Sequence, residues 1–206
     1  MRTVSSSISL IRTAGFALLL GLLAACSAAR PPLNSEMIAE RFGSYGLEII
    51  NQTADRRITN LFSGDPNQRV TRTLAVVRFR QPVAADLSAS HRKILQGESL
   101  GATLKAAGWT VEKETLDVRT VTSGGSLAEM MRVEPGKPLA VHLYRLSAVS
   151  DYKRLPYAKI AEVHHPDHLT VLDLQRIYGG EVAASPLASG PLSGLWKTFQ
   201  ESLRLL

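Results

Sequence analysis

The chain has 206 residues, a formal net charge of +6, 45% hydrophobic and 20% charged residues, and one cysteine. This suits one domain with a real core, and the single cysteine leaves no internal disulfide and no thiol catalysis to expect. Basic residues are scattered, adjacent only at Arg56-Arg57, Arg92-Lys93 and Lys153-Arg154, so no nucleic-acid stripe is expected, and the mild excess fits an anionic small ligand or an anionic membrane surface.

The first 25 residues do not read as part of the fold. Arg2 and Arg12 precede an apolar run from Ala14 to Ala25, which is short for a transmembrane span and has the layout of a secretory signal. Leu23-Ala24-Ala25-Cys26 resembles a bacterial lipobox. The resemblance implies cleavage before Cys26 and lipid on its thiol and new amine. With Ser27 next, it also implies sorting to the outer membrane, facing the periplasm, as an envelope protein held by its lipid. Loss of Arg2 and Arg12 leaves a net charge of +4. The expected divisions are a signal at 1–25, a tether at 26–34, a domain at 35–178, a linker at 179–190 and a helix at 191–206.

Within the domain, "SEMIAERFGSYG" predicts a helix with Ser35 as N-cap and Met37, Ile38 and Phe42 on one side. "LEIINQT", "RRITNLFS" and "RVTRTLAVVRF" read as three strands, the last two separated by the turn cluster "GDPNQ". A helical region spans Ser88 to Ala107, broken at Gly97, with Gly108 as its stop. "TVEKETLDVRTV" is a long alternating strand and "SLAEMMRV" a short helix. "LAVHLYRLSAVS" and "LPYAKIAEVHH" form a hairpin around "DYKR", and a helix runs from Pro166 to Tyr178. Short turns between strands imply an antiparallel sheet of about six strands with helices on one face, an α+β fold. No Gly-rich phosphate loop follows a strand. The Gly/Ala/Ser/Pro stretch 179–190 reads as linker. In the tail, Leu192, Leu195, Trp196, Phe199 and Leu203 fall at helical spacing. That helix packs back on the domain, or serves as a lid, a membrane-surface helix or a partner helix.

Three of five histidines lie in "AEVHHPDHL". His164 and His165, being adjacent, point to opposite sides of a strand, and zinc needs three or four converging ligands. The expectation is therefore no metal, with His164, His165 and His168 as exposed or turn residues. Glu162 shares its strand side with Ala158, Ile160 and His164, the profile of a core-facing strand. A buried carboxylate needs a partner or a task, and the pattern alone leaves a structural salt bridge and a catalytic role open. Arg57, beside Arg56, and Arg72 are candidate carboxylate-binding partners on the second and third strands. The helix start at "GESLG" offers backbone amides to an anion, or is simply capped by Ser99 or Glu98.

Together "SEMIAERFGSYGLEIINQT", "RRITNLFS…RVTRTLAVV", "GESLGATL" and "KRLPYAKIAEVHHP" resemble, in order and spacing, the chorismate lyase family from about Ser35 to Pro166. That family shares its fold with the ligand-binding domains of a class of bacterial regulators. The resemblance implies cofactor-free loss of pyruvate from chorismate to give 4-hydroxybenzoate. It implies a catalytic role for Glu162, in Glu162-Val163-His164-His165-Pro166, and carboxylate binding by Arg57 and by Arg72 of the Arg72-Thr73 pair. It also implies ligand contact at Ser99 and Leu100, in Ser99-Leu100-Gly101. The chain departs from the family at the turns "GDPNQ" and "YKRLP" and at the two histidines after the glutamate. A binder of an anionic aromatic molecule and a structural envelope lipoprotein are the non-enzymatic alternatives. No DNA-binding segment precedes the domain in this sequence, so a regulator role is not expected.

Overall fold

The computed structural model describes residues 31–65 and 67–179, together with Lys197 and Glu201 in the tail. Residues from 31 onward form a compact unit of their own. The signal at 1–25, Cys26, most of the tether, the linker beyond Gly179 and nearly all of the tail helix lie outside the described residues. Lys197 and Glu201 are helical, with Lys197 Nζ 3.9 Å from Glu201 Oε1.

The elements run α1 (Asn34–Phe42), β1 (Gly46–Gln52), β2 (Arg56–Ser63), β3 (Val70–Phe79), α2 (Ser88–Leu95), α3 (Leu100–Ala106), β4 (Thr110–Thr122), α4 (Gly125–Met131), β5 (Pro138–Val149), β6 (Arg154–His164) and α5 (Val171–Tyr178). A 3₁₀ turn at Ala85–Leu87 leads into α2. The strands form one antiparallel sheet ordered β1-β2-β3-β6-β5-β4. The predicted α+β class and strand count hold, and Gly97, at φ +111°, separates α2 from α3.

Boundaries move for local reasons. The N-cap position of α1 is Leu33, not Ser35, and its N–H donates to Glu36 Oε2 at 2.7 Å. The last helix starts at Val171, not Pro166. Thr170 caps it by accepting from the Asp173 N–H at 3.2 Å, while Asp173 Oδ2 accepts from the Thr170 N–H at 2.9 Å.

The helices divide between the two faces of the sheet. On one face α2 and α3 bury Ile94 and Leu104 against Val77, Tyr144, Leu146 and Ile160. α1 sets Ile38 on Leu61 and Ala75, and α5 sets Leu174 on Val118 and Ala140. The exception to one-sided packing is α4. Its Leu127 and Met131 lie on the other face, against Ile58, Leu74, Val76, Val141, Leu143 and Val163. The cause is strand alternation. β3 is apolar on both sides at its centre, and β2, β5 and β6 add buried apolar residues to each side (Ile58 and Leu61, Leu143 and Tyr144, Ala161 and Ile160), so both sides need cover.

Four irregularities re-aim the strands: at Ile50 in β1, Arg72 in β3, Leu116 in β4 and Tyr157 in β6. Each leaves an extra residue in one strand, so alternation restarts beyond it. Leu74 is fully buried at the centre of the α4-side core. Leu74→Ala is expected to destabilise the domain by roughly 2–5 kcal/mol and lower Tm by roughly 5–15 °C, read by calorimetry.

Candidate functional site

A cavity lies on the α1/α3 side of the sheet. All six strands supply its floor, through Leu47, Arg57, Thr59, Leu61, Ala75, Val77, Ile160, Glu162, Tyr144, Leu146, Val111 and Lys113. Its roof is Leu33–Ser35 at the start of α1 and Ser99–Gly101 at the start of α3. The volume, counting the open mouth, is about 610 Å³, within the range of small-molecule sites. Gly101 lets the roof close. A Cβ there would stand 2.9 Å from Leu33 Cδ2.

Arg57 holds one end. It is only 2% exposed. Its Nε donates to Thr59 Oγ1 at 3.0 Å, and its Nη1 donates to the carbonyls of Ile94 at 3.0 Å and Glu98 at 2.8 Å. Nη2 is buried with no hydrogen-bond partner. No carboxylate pairs with Arg57 among the described residues. Burial lowers its pKa from the usual arginine value, the expected direction for a desolvated cation. Tyr45 stands on the same cavity beside Ser99, and burial raises its phenol.

Glu162 holds the other end, where the alternation Ala158, Ile160, Glu162, His164 predicted it would face the core. Sheet spacing and register put the Arg57 and Glu162 backbones roughly 12 Å apart. Glu162 Oε2 lies 3.9 Å from Lys113 Nζ. The ammonium sits 4.8 Å from the Tyr144 ring centre and 5.1 Å from that of Tyr178, and it donates to the Tyr178 hydroxyl at 3.4 Å. Burial pulls the Lys113 pKa down, but Glu162 and Tyr178 together raise it above the usual value.

Ser99 and Leu100 line the cavity, at the head of a seven-residue helix. Arg72 does not. Pairing skips it: Leu61 faces Thr73 and Phe62 faces Thr71. From that bulge its Nε donates to Ser63 Oγ at 2.8 Å, and its guanidinium stacks on Phe42, 3.8 Å from the ring centre. The second cation of the cavity is Lys113, on β4. Its neighbours in "TVEKETLDVRTV" alternate polar residues on both sides, so nothing in the sequence separates it from the outward Glu112 and Glu114.

The histidines are buried rather than exposed: His164 is 1%, His165 5% and His168 1% accessible. Asn34 Nδ2 donates to Thr73 Oγ1 at 3.0 Å, so Asn34 Oδ1 accepts from His168 Nε2 at 2.6 Å. Thr73 Oγ1 shares a hydrogen bond with His164 Nδ1 at 3.0 Å, and His164 Nε2 stands 3.9 Å from Glu162 Oε2. His142 Nε2 meets Thr115 Oγ1 at 3.0 Å, and its ring stacks on Tyr178 with centres 4.6 Å apart. His165 is apart from this chain. Its Nδ1 accepts from the Asp167 N–H at 3.0 Å. No group of three His, Cys, Asp or Glu side chains is placed to hold a metal among the described residues.

No family model matches the chain, and no curated protein matches it. Solved structures similar to it include bacterial transcriptional regulators and domains of such regulators. The C-terminal domain of the histidine utilization repressor from Pseudomonas syringae is 12% identical over 62% of this chain and 95% of that one, with a TM-score of 0.40. The ligand-binding domain of a candidate GntR-family transcriptional regulator from Bordetella bronchiseptica is 13% identical over 60% and 87%, at 0.39. A GntR-family regulator from Enterococcus faecalis is 12% identical over 62% and 93%, at 0.38. Likeness at these scores carries no argument about ligand or activity.

The buried imidazoles set a pH dependence. Burial lowers His142 to about 3, His168 to about 4 and His164 well below its ordinary value of 6.5. Each stays neutral in the fold but protonates near 6.5 when unfolded, so the unfolded chain binds more protons as pH falls below 6.5. Stability is therefore full above that pH and is lost on acidification, by up to about 1.4 kcal/mol per histidine per pH unit. Denaturation at pH 5 is expected at markedly lower urea than at pH 7.5. The triple variant His142→Asn, His164→Asn, His168→Asn should flatten that difference.

Proposed function

We propose that the cavity binds a small organic anion. Its carboxylate meets Arg57 Nη2, its body lies on the apolar floor of Ala75, Val77, Ile160 and Leu146, and a polar group at its far end meets Glu162 and Lys113. The observation that carries this is the buried Arg57 guanidinium with one nitrogen unpartnered beside a cavity. A desolvated cation without a carboxylate of its own is costly, and a ligand carboxylate relieves the cost. An aromatic acid with a para hydroxyl has this chemistry, which agrees with the resemblance to chorismate lyases in sequence order.

The position of Glu162 favours a second reading, pyruvate release from chorismate. There Arg57 and Lys113 hold the carboxylates and Glu162 meets the hydroxyl or ether oxygen, where protons move. Titration of the protein with 4-hydroxybenzoate in a calorimeter tests the first reading. Arg57→Gln is expected to weaken binding about tenfold to a hundredfold. Affinity unchanged by that substitution would remove Arg57 from the site. Incubation with chorismate tests the second. Pyruvate should appear with the native protein and not with Glu162→Gln, which still binds the aromatic acid. A native protein that releases none is a binder only.

The reading includes a lipid anchor at Cys26 in the bacterial envelope, on the periplasmic side of the outer membrane, and it rests on Leu23-Ala24-Ala25-Cys26 and Ser27. Cys26→Ser is expected to move the protein out of the outer-membrane fraction. Unchanged fractionation would end the anchor.

A further inference from the structure

Four cations cross the sheet on the face opposite the cavity. Arg56 stands opposite Arg78, Arg78 opposite Lys159, and Lys159 opposite Arg145. At about 4.8 Å between strands the row spans roughly 15 Å. Directly opposed like charges in a sheet repel, so this row is unfavourable for the isolated domain. Only Arg145 is answered, by Glu114 Oε1 at 3.0 Å. Among the described residues Arg56, Arg78 and Lys159 form no ion pair and no side-chain hydrogen bond.

The surroundings narrow the partner. The next residues along the same strand faces are Ile58, Val76, Ala161 and Leu143, all buried. The row is therefore a charged surface without the exposed apolar anchor that a protein partner's binding energy centres on. It has no aromatic side chain on which a nucleic-acid base stacks. At the same end of the sheet, the turn joining β5 and β6 carries Tyr152, 94% exposed, between Asp151 and Lys153. An exposed tyrosine at this hairpin tip, seven residues along the chain from both Arg145 and Lys159, suits a membrane interface, where its ring sits at headgroup depth.

We infer that the Arg56–Arg78–Lys159–Arg145 row docks the domain on the anionic headgroups of a phospholipid bilayer. Its setting rests on the lipid-anchored reading. Between Cys26 and Leu33 the chain reaches at most about 25 Å, so an anchored domain stays beside the bilayer and weak headgroup attraction is enough to orient it. The cavity, on the other face, is then turned away from the lipid.

The test uses the unlipidated unit 31–206, whose named cores all lie within it, and sedimentation with vesicles. Binding is expected on phosphatidylcholine vesicles containing one third phosphatidylglycerol, with release by added salt and little binding to phosphatidylcholine alone. The triple variant Arg56→Gln, Arg78→Gln, Lys159→Gln should bind about tenfold to a hundredfold less. Removing charge at Arg92, Lys93 and Lys105 should leave binding as it was. No binding to the anionic vesicles, equal loss in both triple variants, or tighter binding to duplex DNA or to an acidic peptide at the same salt would overturn the inference. Salt release of the native unit gives a readout even if a variant fails to fold. Because this unit lacks Cys26, a failure here leaves the anchor to its own fractionation test.

Discussion

The arrangement of the cavity depends on one constraint: a guanidinium placed almost out of solvent with no carboxylate among the described residues to neutralise it. Arg57 is held by carbonyl dipoles at the end of α2 and just before α3, through Ile94 and Glu98. The negative end of a helix suits a cation, and three hydrogen bonds fix the plane of the guanidinium. The fourth direction, Nη2, is left open. The helical break at Gly97 is therefore part of the site. It brings the Ile94 and Glu98 carbonyls to one nitrogen and lets α3 start over the cavity.

At the opposite end the charge is already balanced. Lys113 and Glu162 neutralise each other between tyrosine rings, so that end meets a hydroxyl or a second carboxylate according to which partner the ligand engages. Breaking such a buried pair by losing one member is far worse than losing both. The two ends thus differ in kind: Arg57 seeks an anion, whereas the Lys113–Glu162 pair accommodates polarity of either sign. A ligand with its charge concentrated at one end and a neutral polar group at the other fits this asymmetry best.

Much of this was legible in the sequence, and the limits have a physical cause. Element order, the break at Gly97 and the inward face of Glu162 follow from periodicity, because β6 alternates without interruption from Ala158 to His164. Arg72 and Lys113 do not follow. A bulge at Arg72 leaves it without a pairing partner, and another at Leu116 restarts the alternation of β4 between Lys113 and Val118. Bulges depend on the partner strand, which no single strand's pattern reveals. The same holds for the basic row. Arg56, Arg78, Arg145 and Lys159 are far apart in the chain, and only the register of four strands brings them together.

The histidines show how burial and sequence polarity part company. "VHHPDH" looks like a polar turn, yet His164 and His168 form a closed chain with Thr73 and Asn34 beneath α1. Each imidazole spends one nitrogen on this chain and leaves the other unpartnered, as does His142. Leucines of similar size would pack there without that cost. What a leucine lacks is a ring nitrogen beside the Glu162 carboxylate: His164 Nε2 stands 3.9 Å from its Oε2. With Lys113 on one side of that carboxylate and His164 on the other, the negative charge of Glu162 is held in place without a direct hydrogen bond to either. A hydrogen bond with the Tyr144 hydroxyl completes its setting at the far end of the cavity.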